Sequence, residues 1–85
     1  MRVVLYSTAD PCPLCVEAWI LLDDLAERLG FAFEEVHVES DPELFRRHRL
    51  RVPVLERDGL EVAHGRLDAR AVEAALAGGM VEGGA

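Results

Sequence analysis

The feature that most constrains this fold is a strand-like run that passes within a few residues into a long amphipathic helix. Residues 2 to 7, Arg-Val-Val-Leu-Tyr-Ser, are almost wholly apolar or β-branched, which suits a strand covered on both faces in an α/β sheet. After the loop Thr8-Ala9-Asp10-Pro11, the apolar positions Leu14, Ala18, Leu21, Leu22, Leu25 and Leu29 follow steps of three and four, with Glu17, Asp23, Asp24, Glu27 and Arg28 mostly opposite. This spacing predicts a helix from Pro13 to Leu29, with proline in a favoured first-turn position and Gly30 as the stop. In a chain of 85 residues, 51% of them hydrophobic, such a unit leaves room for one core and one domain.

The remaining patterns complete an α/β order. Phe31 to Val38 reads as a second strand, and Ser40-Asp41-Pro42-Glu43 supplies a cap, a first-turn proline and an early acid for a short helix through about His48. Val52–Glu56 and Leu60–His64 flank Arg57-Asp58-Gly59, a hairpin signal. A last helix runs from Asp68 to Leu76, with Asp68 as its cap. The expected order is β-α-β-α-β-β-α. A right-handed crossover makes the first two strands parallel and the hairpin makes the last two antiparallel, giving a four-stranded mixed sheet flanked by three helices. The domain is expected to span 1–77, with a flexible tail over the glycine-rich residues 78–85.

Both cysteines lie in Cys12-Pro13-Leu14-Cys15, at the start of the first helix. A thiol there faces unpaired backbone N–H groups and the positive end of the helix dipole, which favour thiolate over thiol. Cys15, three positions on, returns to the same side of the helix, where it is placed to attack a mixed disulfide formed at Cys12. Cys12 is therefore read as the nucleophile and Cys15 as the resolving thiol. The loop such a pair closes is too short to stabilise the chain much, so its value is chemical.

Composition narrows the partners. Sixteen acidic residues against nine arginines give a net charge of −7, which argues against nucleic acid. No stretch approaches the length of a membrane span, and the start of the chain lacks a signal-type apolar core, so a cytoplasmic location is expected. In a reducing compartment a CxxC is more often catalytic or metal-binding than structural. The three histidines, His37, His48 and His64, have no ligand spacing to the cysteine pair, and no metal site is expected.

Cys12-Pro13-Leu14-Cys15, together with this element order, resembles the dithiol site of the glutaredoxin and thioredoxin superfamily over nearly the whole chain. The resemblance implies the minimal glutaredoxin fold, and it implies that Val52-Pro53 is the cis-proline motif that lies against the dithiol and offers its backbone to an extended substrate. His64-Gly65-Arg66-Leu67-Asp68 falls where glutaredoxins carry a Gly-Gly-x-Ser/Thr-Asp stretch for glutathione. Gly65 and Asp68 match, whereas Leu67 replaces the hydroxyl residue. The loop before Cys12 also lacks the family's frequent lysine, and Leu14 replaces the common aromatic residue. Arg51 is the candidate for a glutathione carboxylate or an acidic patch on a partner.

The expected function is thus a monomeric thiol–disulfide oxidoreductase acting on protein or glutathione mixed disulfides. It needs no bound cofactor beyond the Cys12–Cys15 disulfide, with glutathione as co-substrate or a thioredoxin-reductase-type system as donor. The competing readings are a non-catalytic redox-sensing or protein-binding module of the same fold, and a Cys/His metal-binding protein.

Overall fold

The computed structural model describes residues 1–84, with side chains described for 1–77. Its elements are β1 (Val3–Ser7), α1 (Pro13–Leu29), β2 (Phe33–His37), a 3-10 turn (Val38–Ser40), α2 (Pro42–His48), β3 (Val54–Arg57), β4 (Leu60–His64) and α3 (Ala69–Gly84). The strands form one sheet in the order β2-β1-β3-β4. β1 pairs parallel with β2 and antiparallel with β3, and β3 pairs antiparallel with β4. This is the expected β-α-β-α-β-β-α topology of the thioredoxin-like minimal fold.

The central position of β1 explains its composition. Val3, Val4, Leu5 and Ser7 are all buried. Val3 and Leu5 pack with Ala18, Leu22 and Leu25 of α1, Leu55 of β3, and Val72 and Leu76 of α3, so α1 and α3 share one face of the sheet. On the other face Tyr6 lies in register with Val54 and stacks on His48 of α2, ring centroids 4.9 Å apart.

Local signals set the element ends. Gly30 closes α1 at φ +76°, its N–H donating to the Ala26 carbonyl at 2.9 Å. Asp41 caps α2, its carboxylate accepting from the Glu43 N–H at 2.7 Å, while Pro42 fills the first turn. The hairpin turns on Asp58 and Gly59, both at positive φ, as a two-residue turn of matching twist demands.

Boundaries differ from the sequence reading in β2, in α3 and in β3, which runs Val54–Arg57 where Val52–Glu56 was expected. β2 begins at Phe33, because the Phe31 N–H also donates to the Ala26 carbonyl and is consumed in closing α1; it ends at His37, because Val38 enters the 3-10 turn. Leu29 is 40% exposed rather than in the core. The 17-residue α1 spans about 25 Å against about 17 Å for the five residues of β1, so its last turn overhangs the sheet. α3 continues past Leu76, and the flexible tail expected over 78–85 lies outside the residues described with side chains. Among the described residues, no helix is long and apolar enough to cross a membrane.

Among the described residues outside the cysteine pair, His48 is the one ionisable side chain that is fully buried. Neither ring nitrogen has a hydrogen-bond partner among the described residues. Burial, with the nearby Arg47 second, pushes its pKa below the ordinary histidine value. A base whose folded pKa is lowered stabilises the fold fully above its unfolded pKa, and that stability is lost as pH falls through about 6.5. Replacing His48 with Phe keeps the stack on Tyr6 and removes the unpaired nitrogens. His48→Phe is therefore expected to raise the urea midpoint, more at pH 5.5 than at pH 8. An equal change at both pH values would show that His48 does not titrate with folding.

Candidate functional site

Cys12 is the N-cap of α1, with extended backbone, and Pro13 takes the first turn. Its sulfur accepts the Cys15 N–H at 3.1 Å, and its carbonyl accepts from Cys15 and Val16 at 3.0 and 3.1 Å. The sulfur thus sits where a helix start presents unpaired donors. Cys12 and Cys15 are joined as a disulfide, Cα atoms 5.2 Å apart. Cys15 is 5% exposed and Cys12 is half-buried, so Cys12 is the more accessible of the two cysteines.

The loop that delivers the chain to Cys12 is pinned from the 3-10 turn. Glu39 accepts from the Thr8 hydroxyl and from the Ala9 N–H, the latter at 3.1 Å. These bonds, Thr8 first, hold the Glu39 carboxyl below the usual carboxylate range. Thr8 in turn accepts the Asp10 N–H at 3.2 Å, which completes a turn two residues ahead of Cys12.

The loop before β3 lies at the same end of the sheet. The Val52-Pro53 peptide is cis and Pro53 is buried. Because Tyr6 pairs with Val54, Pro53 falls opposite Ser7, at the end of the sheet that carries the cysteine loop. The Val52 N–H donates to the His48 carbonyl at 3.0 Å, so this half of the Val52 peptide backbone is already paired within the protein, contrary to the expectation of a free backbone. Gly65, at φ +72°, donates its N–H to the Pro53 carbonyl at 2.8 Å. A side chain at that φ is strained, which is the physical reason for glycine there.

The other sequence candidates are placed differently. The Arg51 guanidinium is paired with both oxygens of Glu61, at 2.8 and 2.6 Å, and its Nη2 lies 3.3 Å from His64 Nδ1. That pair raises the Arg51 pKa and lowers that of Glu61. Asp68 is exposed at the start of α3, where its carbonyl accepts the Val72 N–H at 2.9 Å. Leu67, which replaces the hydroxyl, packs against the core. The structure brings Cys12, Cys15, Val52, Pro53 and Gly65 to one end of the sheet, with Arg51 beside them and Asp68 at the head of its own helix. Among the described residues, no group of three or more His, Cys, Asp and Glu side chains is arranged to hold a metal ion.

Sequence reasoning missed the cleft on the other side of the disulfide. About 500 Å³ in volume, it is lined by the Thr8–Cys12 loop, by Cys15, Val16, Trp19 and Ile20 of α1, and by Glu35 and His37 of β2. Buried Ser7 donates to Glu35 at 2.7 Å, and Trp19 meets Phe33 edge-on with centroids 6.0 Å apart. The available signal was the alternation Phe33, Glu35, His37, which puts two polar residues on the helix-covered side of an edge strand.

Residues 2–77 match the glutaredoxin-like domain (DUF836) family. The chain belongs to this family. Two solved structures are similar to this glutaredoxin-like chain. The X-ray structure of target protein XcR50 from X. campestris is 32% identical, covers 89% of this chain and 96% of its own, and superposes with a TM-score of 0.75. The solution structure of protein Ne2328 from Nitrosomonas europaea is 29% identical, covers 87% and 88% respectively, and has a TM-score of 0.72. Thioredoxin 1 from Thermosipho africanus, 15% identical over 94% of this chain and 99% of its own with a TM-score of 0.60, shares the fold alone. No curated protein matches the chain. The glutaredoxin-like fold and its disulfide-forming pair support thiol redox chemistry.

Proposed function

We infer that this glutaredoxin-like protein is a thiol–disulfide oxidoreductase that reduces protein or glutathione mixed disulfides through Cys12 and Cys15. The observation that carries the reading is the asymmetry of the pair. Cys12 caps the helix and is accessible, and Cys15 is buried behind it. In the reduced protein the Cys12 thiolate attacks one sulfur of a substrate disulfide, forming a mixed disulfide and expelling the other sulfur as thiolate. The Cys15 thiolate then attacks the Cys12 sulfur, releasing the second substrate thiol and leaving the Cys12–Cys15 disulfide. Two electrons reach the substrate, and a dithiol donor or two glutathione molecules restore the pair.

In this reading the Val52 carbonyl receives an N–H of the extended substrate, with Pro53 and Gly65 holding that loop in place. Arg51 reaches a substrate carboxylate only by leaving Glu61, and Asp68 acts chiefly as the start of α3. Both points favour a thioredoxin-reductase-type donor over glutathione. The test runs disulfide reduction in parallel with glutathione plus its reductase and with thioredoxin reductase, using Cys12→Ser as control. Turnover lost in Cys12→Ser supports the enzyme. Unchanged turnover in that variant, or none in the wild type with either donor, returns the protein to a sensing or binding module.

A further inference from the structure

Helix α1 carries a second apolar stripe that the fold leaves unused. Its core stripe is Cys15, Ala18, Leu22 and Leu25, whereas Val16, Trp19 and Ile20, also spaced by three and four, are 59, 40 and 60% exposed. Single exposed apolar residues are ordinary, but three adjoining ones beside a reactive disulfide form a patch suited to binding. The stripe begins one residue after Cys15 and forms the apolar wall of the cleft described above. The opposite side is acidic. Asp10 and Glu35 line it, with His37 Nε2 3.9 Å from the Glu35 carboxylate, and no arginine does, in a chain of net charge −7. The Arg51 cation lies outside the cleft and is already paired with Glu61.

We propose that this cleft docks the segment flanking the reactive cysteine of a protein disulfide, seating an apolar side chain on Val16, Trp19 and Ile20 and turning a Lys or Arg toward Glu35 and Asp10. The proposal rests on the thiol–disulfide reading. Both cysteines line the cleft, so a segment joined to Cys12 through its own cysteine lies across it. Glutathione, with net negative charge and no apolar side chain, is a poor complement to an acidic, apolar-walled site. A basic and apolar flank complements both walls, and burial on the stripe adds affinity that a small disulfide does not gain.

Trp19 is the single tryptophan of the chain and stands in the cleft wall, so its emission reports occupancy directly. Two short peptides are titrated, each with serine in place of the disulfide cysteine, one flanked by Leu and Arg and the other by Leu and Glu. The first is expected to bind saturably and roughly tenfold more tightly than the second at low salt, with the difference shrinking as salt rises. Ile20→Ser, at a position exposed enough to leave the melting temperature unchanged, is expected to weaken binding roughly tenfold. Glu35→Gln, which still accepts from Ser7, is expected to remove most of the preference for the basic peptide. Equal binding of both peptides, no binding of either, displacement by glutathione at matched concentration, or self-association abolished by Ile20→Ser would each overturn the inference. Turnover of bis(2-hydroxyethyl) disulfide by the wild type, which needs no flanking segment, is measured alongside with glutathione plus its reductase and with thioredoxin reductase as donors. Its absence would sink the oxidoreductase reading, and its presence with any of those binding results would sink the docking inference alone.

Discussion

Incubated with a disulfide substrate, Cys15→Ser is expected to accumulate as a covalent adduct on Cys12, whereas Cys12→Ser forms no adduct and loses turnover by at least about a thousandfold. Only the first step of the exchange survives without the resolving thiol, and nothing replaces the nucleophile. The proposed roles rest on position. The Cys12 sulfur accepts a backbone N–H at the first turn of α1 and is half-buried, and Cys15 is 5% exposed within the core stripe of the same helix. Intact-protein mass spectrometry reads the adduct, and its site is mapped by digestion without reductant. Alkylation of the reduced wild type should label Cys12 well before Cys15. An adduct on Cys15 in the Cys12→Ser protein, at wild-type rate, would reverse the assignment.

The fold was legible because its local signals agree with one another. The 3-4 spacing from Pro13, the Gly30 stop and the Asp41-Pro42 start each correspond to a hydrogen bond or a φ value in the structure. What spacing does not report is how far a helix outruns the strand beneath it. Leu29 keeps the helical rhythm and is nonetheless exposed, because its burial depends on the length of β1 and not on the sequence around it. The start of β2 was misplaced for a related reason, since the backbone N–H of Phe31 serves α1 through a bond that side-chain pattern does not encode.

The candidate site divides along the same line. Cys12 and Cys15 were found from motif and spacing, and Val52, Pro53 and Gly65 from the family resemblance; all five come to one end of the sheet because β1 and β3 pair with Tyr6 opposite Val54. Arg51 was chosen for its charge and its neighbours in sequence. Its partner, Glu61, lies ten positions away across the hairpin, so the pairing depends on register alone. The Val16, Trp19 and Ile20 stripe was visible as apolar residues off the core phase, but its meaning depends on Glu35 and His37 arriving from β2. Sequence pattern therefore finds groups held by one element and, where no resemblance joins them, loses those assembled from two.

Leu22→Ala should lower stability by about 2–5 kcal/mol, enough to lower the melting temperature by more than about 10 °C, without touching the chemistry. Leu22 is fully buried on α1, in the cluster that joins Val3 and Leu5 of β1, Leu55 of β3 and Leu76 of α3. A domain of 85 residues has a total stability of only about 4–13 kcal/mol, so this one cavity removes a large share of it. Leu29→Ala on the same helix is the control. Leu29 is 40% exposed on the overhanging last turn, and its loss is expected to cost less than about 1 kcal/mol. Below its melting temperature the Leu22→Ala protein should still form the Cys12–Cys15 disulfide, because the capping bonds at Cys12 belong to the first turn, which Leu22 does not touch. Thermal melts with the disulfide intact read the two losses. Equal losses at the two positions would mean that α1 is not seated by its Ala18-Leu22-Leu25 stripe, and the dithiol would then owe its position to the loop before Cys12 rather than to the helix behind it.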